Sequence, residues 1–222
     1  VKPKRVAVGH DIRLSSPQLA AAVKRGLTDS GADALDIGLW GTEGVYFATF
    51  AESLDGGIMV TASHNPPDYN GMKLVREQAR PVSSDTGLNE MRAMIEAGRL
   101  PAKAARPGSD RPLDIGARYL EHLLGYVDRS KLRKLKVVVN PGNGGAGLVI
   151  DRLEPHLPFE FIKVHHEPDG TFPNGVPNPM LEENRAATAE VGRRTGADVG
   201  LAWDGDYDRC FFFDEQGRFI EG

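Results

Sequence analysis

The feature that most constrains this chain is an order of strands and helices that occurs twice. In the first half, hydrophobic periodicity predicts strands at 6–9, 35–39, 58–62 and 72–75 and helices at 17–30, 44–54 and 86–97. In the second half, it predicts strands at 136–140, 160–165, 199–203 and 210–214 and helices at 113–126, 145–153 and 184–195. Each half therefore contains a βαβαβ unit, and the predicted fold is α/β, with two tandem three-layer α/β/α domains and mixed, mostly parallel sheets.

Local signals support the first helix and the boundary between the halves. Ser15 or Ser16 can cap a helix that has Pro17 in its first turn, and Gly31 can end it in a left-handed conformation. Residues 100–112 are rich in Pro, Ala and charge and follow neither period, which is typical of a linker. We therefore predict domains at 1–107 and 108–222.

Bulk properties exclude several classes of protein. The 222 residues suffice for two domains, and the net charge of -4, without a long basic run, argues against nucleic-acid binding. No apolar stretch approaches the ~20 residues that span a bilayer, and the first residues lack the apolar core of a signal peptide. The single cysteine, Cys210, allows no internal disulfide and fits a reducing compartment, so we expect a cytoplasmic protein without a membrane partner.

The third strand of each half ends in a polar cluster. The first cluster lies in IMVTASHNP and the second in GLAWDGDYDR. Ligands of open α/β sheets bind beyond the carboxyl ends of the strands, so we expect chemistry at both places.

The second cluster places carboxylates at alternate positions, Asp204, Asp206 and Asp208. These oxygen ligands suit Mg²⁺ or Ca²⁺ if the backbone curls around one ion. A calcium loop of the EF-hand type is excluded, because its sixth position holds Arg209 instead of Gly. A solvated acidic turn remains the alternative.

The first cluster offers Ser63 as a nucleophile for acyl or phosphoryl transfer. The chain lacks the G-x-S-x-G motif of many hydrolases around this serine. His64 is adjacent in sequence, and we expect its ring not to reach the Ser63 hydroxyl as a base would. A turn without chemistry is the alternative for this loop alone, whereas the two clusters together favour metal-assisted phosphoryl transfer in a cleft between the domains.

A glycine-rich turn supports a different interpretation. Gly142, Gly144 and Gly147 have the G-x-G-x-x-G spacing after a predicted strand, and Glu167 follows twenty residues later. This pattern would suit a dinucleotide-dependent oxidoreductase. Pro141 ahead of the first glycine disfavours it, and a tight turn between strand and helix is the simpler explanation.

Several motifs together resemble the bacterial phosphomannomutase/phosphoglucomutase family of α-D-phosphohexomutases. They are TASHNP, YNGMKLVREQARP, GNGGAG, EPDGTFPNGVPNP and DGDYDRCFFFDEQGRFIEG, and the likeness runs over the whole chain. The resemblance implies a mutase that interconverts hexose 6-phosphate and hexose 1-phosphate, of mannose or glucose, through a phosphoserine and hexose 1,6-bisphosphate. We expect the protein to be a monomer.

The same resemblance implies roles for individual residues. Ser63 would carry the phosphoryl group in domain 1–107, and Asp204, Asp206 and Asp208 of domain 108–222 would bind Mg²⁺ together with an oxygen on Ser63. Three further side chains would take part in catalysis. Arg209 would contact the phosphoryl group, His64 would line the site, and Lys73 would be a general acid or base at the sugar hydroxyl.

This sequence also departs from the family pattern. The family's opening arginine-bearing segment and its third and fourth domains, which hold the sugar and its phosphate, are not found in it. We therefore expect the two N-terminal domains of a mutase, with little turnover alone. A non-catalytic phosphosugar-binding fragment remains an alternative, and a phosphatase is disfavoured because its paired aspartates would lie on the first strand.

Overall fold

The computed structural model describes residues 3–221 and divides them into two compact units. The first unit comprises residues 3–10, Ser15–Thr61 and Gly71–Ile115. The second comprises Asp11–Leu14, Ala62–Asn70 and residues 116–221, so it includes two short segments from the first half of the chain. The domain limits 1–107 and 108–222 stay a prediction.

The first unit is built on a six-stranded sheet in the order β5-β4-β3-β1-β2-β6. Its elements are β1 (Arg5–His10), α1 (Ser16–Asp29), β2 (Asp33–Leu39), α2 (Thr42–Ala51), β3 (Gly56–Val60), β4 (Met72–Arg76), β5 (Arg80–Pro81), α3 (Asn89–Glu96) and β6 (Asp110–Pro112). Strands β2 and β3 flank β1 in parallel, whereas β4 runs antiparallel to β3.

Helices cover both faces of this sheet because strand side chains alternate between the faces. Val8 and Val60 pack with Ala20 of α1 on one face. Gly57 points to the other face, where Val45 and Thr49 of α2 lie against it.

The ends of α1 follow from its sequence only in part. Ser15 occupies the N-cap position, which confirms the predicted start of α1, although its side chain makes no capping hydrogen bond. Gly31 has a φ of +86°, which confirms the predicted left-handed end.

Two predictions for the first unit are wrong. Residues 110–112 of the predicted linker form β6, which pairs in parallel with β2, because Asp33 binds the backbone and hydroxyl of Ser109 at 2.7 Å each. The predicted helix 86–97 begins later, at Asn89, because Gly87 has a φ of +141°, which no helix accommodates.

The second unit repeats the central topology of the first. Its elements are α4 (Gly116–Leu124), β7 (Lys136–Asn140), α5 (Ala146–Leu153), β8 (Glu160–Lys163), α6 (Ala186–Thr195), β9 (Val199–Trp203) and β10 (Cys210–Phe213). The sheet order is β10-β9-β7-β8, which matches β4-β3-β1-β2, with β9 and β8 parallel to β7 and β10 antiparallel.

Helices again lie on both faces. Val137 and Val139 pack with Ile150 of α5, and Ala202 packs with Ala189 of α6. The α/β class with mixed, mostly parallel sheets is therefore confirmed. Among the described residues, no helix combines the length and apolarity needed to cross a membrane.

Candidate active site

The serine cluster forms the connection between β3 and β4, and its central residues 62–70 belong to the second unit. Ser63 is 9% exposed and has a φ of +52°. A residue other than Gly rarely adopts this left-handed conformation, and such strain concentrates at functional sites. The next turn is closed by the backbone N–H of Asn65, which donates to Ala62 O at 2.9 Å.

The aspartate cluster forms the equivalent connection of the second sheet, between β9 and β10. Asp204 and Asp206 are 0% exposed, while the Asp208 side chain is 26% exposed. Tyr207 adopts a φ of +46°, and its backbone N–H donates to Asp204 O at 3.0 Å. The loop is thereby curled, and one carboxylate oxygen from each aspartate lies within 4.8 Å of the others. This group could hold a metal ion.

The two clusters meet at the Ser63 hydroxyl within the second unit. Ser63 Oγ donates to Asp204 Oδ2 at 2.7 Å, and Arg209 Nη2 donates to Ser63 Oγ at 2.9 Å. Arg209 also contacts Asp204 through both Nε and Nη2. The Ser63 hydroxyl therefore contacts both a buried carboxylate and a guanidinium group.

The expectation for His64 is wrong. His64 Nδ1 lies 3.1 Å from Ser63 Oγ and also contacts Arg209 Nη2. The left-handed backbone at Ser63 turns the chain sharply enough for adjacent side chains to face the same point.

The electrostatics of the aspartate cluster favour a bound cation. Burial raises the pKa of Asp204 above its ordinary value, and the neighbouring charge of Asp206 raises it further. The hydrogen bond from Ser63 and the charge of Arg209 act in the opposite direction. A divalent cation among the three carboxylates would relieve the repulsion between Asp204 and Asp206, so the residues present fit a metal ion.

Sequence reasoning did not single out Asp11 and Arg13. They directly follow β1, whose carboxyl end lies at the same sheet edge as that of β3. Arg13 is 1% exposed, and its Nε lies 3.3 Å from Asp11 Oδ2. A charged pair after a buried strand that neighbours the serine strand is the signal that could have identified them.

Lys73 lies outside the second unit. It belongs to β4 of the first unit, where it pairs with Met59 of β3, and its side chain is half-buried. Its role as an acid or base stays a prediction.

Other parts of the chain pack closely against the glycine-rich turn 142–147. A Cβ on Gly142 would lie 2.3 Å from Pro177 Cβ, and one on Gly144 would lie 2.9 Å from Gly205 O. In a dinucleotide fingerprint, the second glycine leaves room for the pyrophosphate. Here that place is taken by the aspartate loop, which comprises residues 204–209 between β9 and β10. The glycines therefore serve close packing of loops.

Comparison with known proteins places the chain in a family. The model of phosphoglucomutase/phosphomannomutase alpha/beta/alpha domain I matches residues 1–101, and that of domain II matches residues 117–217. The phosphohexose mutase of Xanthomonas campestris pv. campestris strain B100 is 62% identical over 217 residues, which cover 98% of this chain and 48% of the relative. The phosphomannomutase of Salmonella typhimurium strain LT2 is 56% identical, over 100% of this chain and 50% of the relative.

Solved structures agree. A phosphoglucomutase/phosphomannomutase family protein from Burkholderia thailandensis superposes with a TM-score of 0.87 at 35% identity, over 98% of this chain and 48% of that one. This chain thus spans about half the length of the curated relatives that it matches, 48% and 50% in the two cases above. With the resemblance of its motifs confirmed, the chain belongs to the phosphoglucomutase/phosphomannomutase family.

Proposed function

We propose that this chain carries the phosphoryl-transfer half of a phosphohexomutase that interconverts hexose 6-phosphate and hexose 1-phosphate. The sugar would be mannose, glucose or both, and hexose 1,6-bisphosphate would be the intermediate. The supporting observation is the strained, buried Ser63 hydroxyl, which lies 2.7 Å from Asp204 and 2.9 Å from Arg209.

Two transfers complete the proposed reaction. In the first, a hydroxyl oxygen of the sugar bonds to phosphorus while the bond from phosphorus to Ser63 Oγ breaks, and the hydroxyl proton leaves to a base. Ser63 Oγ then takes up a proton. In the second, the bisphosphate has turned around, and its other phosphoryl group returns to Ser63 as the reverse of these steps.

The residues around Ser63 suit such a transfer, which depends on positioning and charge neutralisation more than on covalent help. Arg209 would hold oxygens of the phosphoryl group, and His64 would line the same site. Lys73 is the proposed acid or base at the sugar hydroxyl.

We propose Mg²⁺ as the metal, held by Asp204, Asp206, Asp208 and an oxygen of the group on Ser63. Hard oxygen ligands and a phosphate are the usual environment of this ion. When bound, it would neutralise negative charge on the transferred group.

Residues 1–107 would form the phosphoserine-loop domain and residues 108–222 the metal-binding-loop domain. We propose that the enzyme is a monomer and that it is cytoplasmic. The single Cys210 fits the reducing environment of the cytoplasm. Light scattering of the purified chain tests the monomer.

Intact-mass measurement tests the role of Ser63. The chain is incubated with Mg²⁺ and glucose 1,6-bisphosphate, and its peptides are mapped around residue 63. We expect one added phosphoryl group on Ser63 and none in Ser63→Ala. Uptake by the Ser63→Ala variant would show that another residue is the acceptor.

A hybrid enzyme tests turnover. This chain replaces the part of the Xanthomonas relative that it matches at 62% identity, so that the segments on both sides of it, including the C-terminal half, come from the relative. We expect mutase activity from the hybrid and little from the chain alone. A folded hybrid that binds hexose phosphate without isomerising it would favour the non-catalytic alternative.

A further inference from the structure

Arg13 forms a clamp on the serine loop, which comprises residues 62–70 between β3 and β4. Its guanidinium donates from Nη2 to Ser63 O at 2.9 Å and Asn65 O at 2.6 Å, and from Nη1 to Pro66 O at 2.6 Å and Tyr69 O at 3.2 Å. One planar group thus binds backbone carbonyls along most of the loop. Only arginine presents enough donors in a fixed plane for this arrangement.

The clamp is itself fixed in place. Its Nε pairs with Asp11 Oδ2 at 3.3 Å, and the backbone N–H of Arg13 donates to Asp11 Oδ1 at 3.0 Å. The guanidinium lies 5.4 Å from the centroid of the Phe172 ring, and the whole residue is 1% exposed. A buried cation held on several sides has little freedom to change rotamer.

Arg13 binds the carbonyl oxygen of Ser63, and the position of this peptide sets the direction of the Ser63 side chain. Ser63 O accepts from Arg13, and Gly205 of the aspartate loop lies so close that a Cβ there would be 2.5 Å from the same oxygen. The carbonyl is therefore held between the guanidinium and the aspartate loop. With that peptide fixed and φ at +52°, the Ser63 side chain is directed at Asp204.

We propose that Arg13 is a positioning residue for phosphoryl transfer, which holds Ser63 in its left-handed conformation without touching the reacting atoms. This role rests on the function proposed above. Lysine would keep the charge of Arg13 but could not bind the same set of carbonyls. The loop would then lose its geometry while the aspartates keep theirs.

The test compares Arg13→Lys with Arg185→Lys in the 222-residue chain. Arg185 is a matched control, because it also donates to two backbone carbonyls, Pro179 O at 2.9 Å and Met180 O at 2.8 Å, and also lies over an aromatic ring. Its contacts lie outside the serine loop. The first readout is the rate of phosphate uptake on Ser63 from glucose 1,6-bisphosphate, measured by intact mass.

We expect Arg13→Lys to slow uptake by about 100-fold, the cost of misplacing a reacting group by roughly 1 Å. Mg²⁺ affinity measured by calorimetry should change less than about threefold, because the aspartate loop is intact. Arg185→Lys should leave both quantities unchanged. In Arg13→Ala, added guanidinium ion should restore part of the rate in a saturable manner, which a general loss of stability would not produce.

Hydrogen exchange provides a readout that is independent of the proposed function. The amides of Asn65 and Tyr69 donate within the loop to Ala62 O at 2.9 Å and Pro66 O at 3.0 Å, and they should exchange faster in Arg13→Lys than in the Arg185→Lys control. Unchanged exchange, or wild-type uptake in a folded Arg13→Lys chain, would overturn the proposal. Absence of uptake in the wild type would count against the mutase function, and exchange would then decide on the clamp by itself.

Discussion

Asp55 and Asp198 make the same contact in the two repeats. Each directly precedes the third strand of its sheet and accepts a backbone N–H at the start of the first strand. Asp55 Oδ2 binds Lys4 N at 2.7 Å and Arg5 N at 2.9 Å, and Asp198 Oδ2 binds Lys136 N at 2.7 Å. The repeated topology is thus accompanied by a repeated side-chain contact at the edge of the sheet opposite the polar loops.

This contact predicts a pH-dependent contribution to stability. The backbone N–H groups of Lys4 and Arg5 lower the pKa of Asp55, so its contribution is present above the unfolded-state pKa of about 3.9 and is lost as the pH falls through the lower folded-state value. Asp55→Asn should cost about 0.5–1 kcal/mol at pH 7, a hydrogen-bond energy reduced for solvent exposure. Urea unfolding at pH 7 and pH 3 measures this, and an equal difference at both pH values would contradict it.

The aspartate cluster predicts a clean loss of metal binding. Asp206→Ala removes one of the three close carboxylates, so we expect Mg²⁺ binding to disappear from calorimetry. The free energy of unfolding without metal should change by less than about 1 kcal/mol, because relief of repulsion with Asp204 offsets lost contacts. Asp214→Ala, at an acidic residue beyond this loop, serves as the control. Unchanged Mg²⁺ affinity in Asp206→Ala would refute the metal assignment.

Metal binding should also depend on pH. Burial and the charge of Asp206 raise the pKa of Asp204 in the metal-free protein, so the folded state keeps a proton on Asp204 up to a higher pH than the unfolded chain does. The stability that this proton contributes is lost as the pH rises through the raised pKa. A cation binds the ionised form, and Mg²⁺ affinity should therefore fall as the pH drops below the raised pKa. Calorimetry in two buffers with different ionisation enthalpies should detect proton release there. Binding without proton release at any acidic pH would contradict this.

The left-handed backbone at Ser63 predicts a difference between two inactive variants. Both Ser63→Ala and Ser63→Gly remove the hydroxyl and should abolish phosphate uptake. Glycine accepts a φ of +52° without strain, so Ser63→Gly should be more stable than Ser63→Ala by about 0.5–1 kcal/mol. Chemical denaturation measures the difference. A more stable alanine variant would indicate that the loop relaxes out of this conformation.

Local patterns predicted the elements that build the site. Strands 136–140 and 199–203 have the predicted limits in the structure, because continuous apolar runs end there at polar loops. The position of both polar clusters after the third strand of each unit followed from the repeat. The rule that ligands bind at carboxyl strand ends then identified Ser63 and Asp204.

Local sequence patterns could not predict the contacts between segments that are distant in the chain. Strand β6 depends on Asp33 binding Ser109, more than seventy residues along the chain. Arg13 binds backbone carbonyl oxygens, and every residue has one. No residue type in the serine loop therefore indicates that this loop binds Arg13. The His64 contact depends on the φ of Ser63, which the letters SHN do not encode.

The closeness of Gly205 to Ser63 O has a consequence for how such chains can recombine. Arg13 and Ser63 lie before the predicted linker, and Gly205 lies after it, yet all three belong to one compact unit. Genetic recombination between two relatives within the linker would therefore join the serine loop of one parent to the aspartate loop of the other. Hybrids assembled at that point should function only where both parents present the same backbone at these two loops.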